Sequence, residues 1–285
     1  MNTVDAVGPM DTANKADTAD TLKVAAVQMV SAATVVPNLL AADRLIAQAA
    51  EQGAQLVALP EYFCILGHKD TDKVDVREPF EDGPIQSFLS QAAARHRVWL
   101  LGGTVPLVAD KINKVRNTSL LFGPDGQRLA RYDKIHLFGL DRGGERFNES
   151  NTIEPGRTPV VTDIAGFRLG LTVCYDLRFP ELYRALSPLD LILAPSAFTY
   201  TTGKVHWELL LRTRAIENQC YLLAPAQGGV HQNGRRTWGH TMLIDPWGEI
   251  VGVLPEGEGI VMGQISRARV QEVRKMLPAL THRVM

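Results

Sequence analysis

The sequence lacks most of the features that mark a stapled, membrane-bound or nucleic-acid-binding chain. Only three cysteines occur in 285 residues: Cys64, Cys174 and Cys220. An odd, widely spaced set is no disulfide framework, and no pair has the CxxC spacing of a structural zinc site, so no metal is expected. Such cysteine usage fits a reducing compartment, the cytoplasm. No stretch reaches the roughly 18 continuous apolar residues of a membrane helix. Charge of one sign is also lacking. The formal net charge is -1 and the Lys and Arg residues form no run, so no nucleic-acid partner is expected. Glycosylation-type triplets begin at Asn117 and Asn148, and they carry no meaning in a cytoplasmic chain.

Hydrophobic residues make up 45% and charged residues 21%, the balance of a globular protein with a sizeable core. The first residues are small, polar and poor in aromatics. Residues 1–21 therefore read as a disordered extension, without the basic start and apolar stretch of a signal peptide, and residues 22–285 as the folded domain.

From Leu22 the pattern alternates. LKVAAVQMV reads as a buried strand. NLLAADRLIAQAAEQG reads as a helix, striped by Leu39, Leu40, Ala42, Leu45, Ile46 and Ala49, with Asn38 to cap it and Gly53 to end it. AQLVALP is a second strand, PIQSFLSQAAARHR a helix and VWLLGGTVPL a third strand. Two hairpins follow, VRNTSLLFGPDGQRLARYDKIHLF and TPVVTDIAGFRLGLTVC, separated by a loop from Gly139 to about Arg157. FPELYRALSPL, VHWELLLRTRAIENQC and SRARVQEVRKML read as helices. DLILAPSAF, YLLAPAQ and TWGHTMLIDPWGEIVGVL read as strands. Periodicity supports an α/β fold with mixed sheets.

Three residues at strand ends invite chemistry. Cys174 closes RLGLTVC and precedes a turn and helix, so its thiol stands on a sharp bend with backbone N–H groups beside it. A thiol attacks as thiolate, and N–H groups on such a bend can hold an oxyanion. Glu61 ends LVALPEYF, walled by Pro60, Tyr62 and Phe63, where partial desolvation suits a proton shuttle. Lys134 in RYDKIHLF could stabilise negative charge. Each residue taken alone reads as readily as a core cysteine, a capping acid or a surface lysine.

Together, and in the order LPEYF, YDKIHLFG, GLTVCYDLRFPELYRAL, these segments resemble the nitrilase superfamily of carbon–nitrogen hydrolases across the chain from Leu22 onward. The resemblance implies a four-layer α-β-β-α sandwich, a Glu61–Lys134–Cys174 triad, no cofactor, and a homodimer or higher homo-oligomer acting on a small molecule. It implies that Cys174 forms a thioester, with the Tyr175 backbone N–H and Lys134 at the oxyanion. A second glutamate belongs between the lysine and cysteine segments. Glu149 takes the matching place in RFNESNTIEPGRTP, with Glu145 the alternative. Arg178, four residues past Cys174, either forks a substrate carboxylate or pairs with Glu181 or Asp176. Tyr62 and Thr199 are further substrate-side candidates.

PSAF, HWELLLRTRAIENQCY, GHTMLIDPWG and LPALTHR resemble the branch that hydrolyses deaminated glutathione more than the ω-amidase branch acting on α-ketoglutaramate. N-carbamoyl and nitrile hydrolysis stay open on the triad alone. Two readings from other classes also stay open: a catalytically dead binding member, and a Cys–His acyltransferase using His136 or His240.

Overall fold

The computed structural model describes residues 20–284. The extension expected over residues 1–21 therefore lies, except for Asp20 and Thr21, outside the described residues. Thr21 already belongs to a strand.

The chain runs β1 (Thr21–Gln28), α1 (Val35–Glu51), β2 (Leu56–Ala58), a four-residue α2 (Asp72–Asp75), α3 (Pro84–His96), β3 (Trp99–Leu101), β4 (Val105–Val108), β5 (Val115–Phe122) and β6 (Arg128–Asp133). A small hairpin follows, β7 (Gly139–Arg142) and β8 (Glu145–Asn148). Then come β9 (Val160–Ile164), β10 (Phe167–Leu171), α4 (Pro180–Leu186), β11 (Leu191–Leu193), α5 (Tyr200–Asn218), β12 (Tyr221–Ala224), β13 (Gly228–Val230) and β14 (Arg236–Trp238). The chain ends with β15 (Thr241–Ile244), β16 (Ile250–Leu254), β17 (Gly259–Ser266) and α6 (Arg267–Met276).

Two mixed sheets pack face to face. One has the order β17-β1-β2-β3-β5-β4, with β6 also on β5, and the other β16-β15-β12-β11-β10-β9. Alternation along β1 sorts its side chains between two cores. Leu22, Val24 and Ala26 meet Leu169, Leu171, Leu191 and Leu222 of the second sheet. Ala25 and Val27 turn outward to Leu45, Ile46 and Ala49 of α1 and Leu89 and Ala92 of α3. The result is the α/β sandwich the resemblance implied.

Several local expectations need correction. Helix α1 begins at Val35, not Asn38. Asn38 is buried inside the helix, where its amide donates to the carbonyls of Ala32, Thr34 and Cys64. Leu40, counted in the apolar stripe, is 68% exposed. VWLLGGTVPL is two strands, β3 and β4, broken at Gly102–Gly103, and both pair with β5. The stretch taken as loop carries the β7–β8 hairpin, whose Gly143 and Gly144 have φ of 63° and 87°. That left-handed pair is what a tight hairpin turn demands. Strand β17 went unread, although all eight of its residues pair antiparallel with β1.

Candidate active site

Glu61, Lys134 and Cys174 come from the ends of β2, β6 and β10, where open α/β sheets gather ligand-binding groups. Two glycines allow the backbones there to approach closely. A Cβ on Gly103 would lie 2.0 Å from the Pro60 carbonyl oxygen, and one on Gly156 2.1 Å from that of Asp133. These are the residues just before Glu61 and Lys134.

The Lys134 side chain is fully buried and donates to three carboxylate oxygens. It reaches Glu61 Oε1 at 2.8 Å and Glu149 Oε1 and Oε2 at 3.0 and 2.8 Å. Glu149 is held in turn by the Phe138 N–H at 2.7 Å and the Tyr62 hydroxyl at 2.7 Å. Glu145 sits on β8 opposite Arg142 and makes no bond to Lys134. Glu149 is thus the glutamate that joins the lysine.

Cys174 opens a short 3-10 turn, Cys174–Arg178, with φ of 49°, a left-handed conformation unusual for a residue with a side chain. Its N–H donates to the Pro195 carbonyl at 3.0 Å, which extends the β10–β11 ladder past the strand ends. Asp176 fastens the bend from below. Fully buried, it accepts from the Val173 N–H at 2.8 Å, the Tyr132 hydroxyl at 2.6 Å and the His136 N–H at 3.0 Å.

This arrangement has relatives. The Carbon-nitrogen hydrolase sequence profile matches residues 23–275. A Synechocystis protein named deaminated glutathione amidase is 44% identical over 266 residues, covering 91% of this chain and 97% of its own. Omega-amidase NIT2-A of Xenopus laevis is 36% identical, covering 90% and 92%. The crystal structure of the Caenorhabditis elegans NitFhit protein superposes with a TM-score of 0.86 at 36% identity, over 93% of this chain and 65% of that one. The chain belongs to the carbon–nitrogen hydrolases of the nitrilase superfamily. It is an enzyme of the amidase kind, acting on carbon–nitrogen bonds other than peptide bonds.

The hydrolase presents its cysteine to a narrow cleft, lined by Phe138, Cys174, Tyr175, Arg178, Phe198 and Thr199 among others. Arg178 pairs with neither Glu181 nor Asp176. Its guanidinium meets His206 Nδ1 at 3.3 Å and stands over the rings of Tyr175 and Phe198 at 5.6 and 5.5 Å. Thr199 caps α5 and bonds Thr202 Oγ1 at 2.9 Å. Tyr62 donates its hydroxyl to Glu149 and is not among the residues that line the cleft.

Burial sets the electrostatics. It pushes the Cys174 thiol well above its usual range, with Glu61 adding to the rise and Lys134 opposing it. Burial also raises Glu61, against the pull of Lys134. For Lys134, burial acts downward, but Glu149 and Glu61 outweigh it and hold the ammonium well above its usual value. For Glu149, burial acts upward and Lys134 outweighs it, leaving this carboxylate below the ordinary value. The hydrolase therefore holds, at neutral pH, a protonated thiol beside a carboxylate of raised basicity and a permanent cation.

His136 and His240 are both engaged. His136 Nδ1 lies 2.7 Å from Asp176 Oδ1 and its ring stacks on Phe179. His240 stacks on Trp238 and its Nδ1 faces that residue's carbonyl at 3.0 Å. Among the described residues no group of three or more His, Cys, Asp or Glu could hold a metal ion, and no helix is long and apolar enough to cross a membrane.

Three contributors escaped the sequence reading. Asn117, met there only as a glycosylation triplet, is buried and donates to Glu61 Oε1 at 2.9 Å. Gln227 donates to the Glu61 backbone carbonyl at 3.0 Å. Asp176 was weighed only as a partner for Arg178. The one available signal was a run of polar side chains inside a strand flanked by apolar residues, as at Asn117 in VRNTSLLF.

Proposed function

We propose that this hydrolase cleaves the amide of deaminated glutathione, giving 2-oxoglutarate and cysteinylglycine. The observation that carries the proposal is the match to the Synechocystis amidase of that name, 44% identical along nearly the whole of both chains. The match to the Xenopus ω-amidase, at 36%, keeps α-ketoglutaramate as the second reading.

The steps assign each buried group a role. Glu61 takes the proton from the Cys174 thiol as sulfur attacks the γ-amide carbonyl. Lys134 and the Tyr175 N–H stabilise the oxyanion. The first N–H groups of a helical turn have no partner inside it, so the Tyr175 donor is available. Glu61 passes its proton to the departing amine nitrogen, leaving a thioester on Cys174. Water then enters, loses a proton to Glu61 and attacks the thioester. Collapse returns that proton to sulfur and releases the acid. Glu149, held by Tyr62 and the Phe138 N–H, fixes Lys134 in place. Asn117 holds Glu61. No cofactor takes part. Arg178, without a carboxylate partner, forks the α-keto carboxylate that both substrates carry. Thr199 lines the wall beside it.

We further take the enzyme to be cytoplasmic, in keeping with its three unpaired cysteines. We also take it to be a homodimer. Val205, Leu209 and Ile216 leave apolar surface on the outer side of α5, at 50%, 67% and 47% exposure. The deciding assay is kcat/KM for deaminated glutathione and for α-ketoglutaramate. A larger value for the second overturns the substrate and leaves an ω-amidase. Cleavage of neither, with turnover of an N-carbamoyl compound or nitrile, leaves only the triad.

A further inference from the structure

The two candidate substrates share an α-keto carboxylate but differ at the other end. Deaminated glutathione carries a second carboxylate, on the glycine of its leaving group, where α-ketoglutaramate has only ammonia to lose. A chain that prefers the first gains from a second cation, set apart from Arg178. Arg235 is such a cation.

Arg235 is half-buried in the turn that leads into β14, and its side chain makes no ion pair or hydrogen bond among the described residues. Its neighbour Arg236, by contrast, pairs with Glu256. The Arg235 guanidinium stands 4.9 Å from the centre of the Phe147 ring. Phe147 is 5.6 Å from Phe138, and Phe138 lines the cleft with Cys174. The guanidinium is therefore one aromatic ring removed from the cleft wall. Phe138 bonds Glu149 through its N–H and its ring meets that of Tyr175 edge-on at 5.3 Å, while Arg178 belongs to the turn carrying the cysteine.

The segment bearing Arg235 is anchored. The His231 N–H donates to the Arg235 carbonyl at 2.9 Å, and the Arg235 N–H to Asn233 Oδ1 at 2.9 Å. His231 is buried between the Ser31 carbonyl at 3.0 Å and Thr237 at 2.8 Å. Asn233 donates to the carbonyls of Leu66 and Gly67 at 3.2 and 2.7 Å, which pins the turn to the segment that follows Glu61. A cation carried on a turn anchored in this way, and left without a counter-ion among the described residues, is set up for an anion that arrives from outside. Lys73 adds positive charge nearby. It stands 5.6 Å from the Tyr62 ring and is only partly offset by Asp70 at 4.0 Å. Burial, chiefly, holds the Lys73 ammonium below its usual value, and the Arg235 charge adds to that effect.

We propose that Arg235 binds the terminal carboxylate of the departing cysteinylglycine and so selects a peptide-like amide over a primary amide. The proposal rests on the deaminated-glutathione reading. It gives that reading a residue that ω-amidase activity does not need. Two extended residues span up to about 7 Å, so the cation must lie beyond the scissile nitrogen and outside the cleft proper, as a rim group does.

The test measures kcat and KM for wild type, R235M and R235K on three substrates. These are deaminated glutathione, its analogue with the glycine carboxylate converted to a primary amide, and α-ketoglutaramate. A charged hydrogen bond is worth roughly tenfold to hundredfold in binding. The ratio of kcat/KM for deaminated glutathione to that for α-ketoglutaramate should fall by this factor in R235M, through KM, and recover in part in R235K. Wild type should show the same loss on the amidated analogue, and R235M should add nothing to it. Should R235M not fold, R235K carries the test, because it keeps the charge and loses the fork. An unchanged ratio, or an equal penalty on the acid and its amide, overturns the role of Arg235. Failure of wild type to cleave deaminated glutathione overturns the substrate reading itself, and that result appears before any variant is made.

Discussion

Replacing Lys134 by Met removes the cation that bridges two buried carboxylates while keeping most of its volume. Each lysine–carboxylate contact is 2.8 Å at its shortest. At that separation Coulomb attraction is about 6 kcal/mol per pair with an effective dielectric of about 20. Desolvation of three charges offsets much of it, and removing one partner from a buried pair typically costs about 3–5 kcal/mol. The stranded carboxylates can escape by taking up a proton. From an ordinary glutamate value of 4.5, protonating one at pH 7 costs about 3.4 kcal/mol, and at pH 5 only about 0.7 kcal/mol. The sign follows directly. In wild type, Glu149 titrates below 4.5, so its contribution is present above that pH and is lost as pH falls through the folded value. In the variant both carboxyls titrate above 4.5, so stability is highest in acid and falls as pH rises. Lys134→Met should therefore lose about 3–5 kcal/mol at pH 7 and about 1–2 kcal/mol at pH 5. Urea denaturation followed by tryptophan fluorescence at the two pH values measures both. A loss below about 1 kcal/mol at pH 7, or the same loss at both, refutes the buried-network reasoning.

Four further outcomes are expected. Cys174→Ala should abolish product formation with the melting temperature unchanged within a few degrees, and substantial residual turnover rules out the nucleophile assignment. The acidic limb of kcat/KM should lie above the ordinary glutamate value of 4.5, because burial raises the base Glu61 and the rate falls once it is protonated; a limb at or below that value means another base. Arg178→Met should raise KM for deaminated glutathione and α-ketoglutaramate alike, by roughly tenfold or more, and a loss confined to one substrate contradicts its grip on the shared carboxylate. Light scattering at micromolar concentration should give twice the 31.3 kDa chain mass, and a monomer alone removes the dimer.

How much of this was visible in the sequence depended on how local each feature is. Glu61, Lys134 and Cys174 were singled out by the short segments LPEYF, YDKIHLFG and CYDLRFPEL, whose resemblance to the superfamily is local in the chain. The groups that hold them were not, since their partners are remote in the chain. Asn117 meets Glu61 across 56 positions, Gln227 meets its carbonyl across 166, and Asp176 receives Tyr132 across 44. Strand β17 escaped for the same reason, since its partner is the first strand of the chain and glycines interrupt its apolar pattern. The β7–β8 hairpin is different. Gly143–Gly144 between charged neighbours is a turn signal that a stricter reading would have used. Asn38 misled because a residue suited to a cap can instead serve as an internal tie.

The central claim is that Cys174 carries the acyl group during turnover. Intact-mass and peptide mass spectrometry of the enzyme, quenched in acid during steady-state cleavage of deaminated glutathione, tests it most directly. One 2-oxoglutaryl group should appear in thioester linkage on the peptide containing Cys174. Adduct on Cys64 or Cys220, or full turnover by an enzyme whose Cys174 has been alkylated, contradicts it.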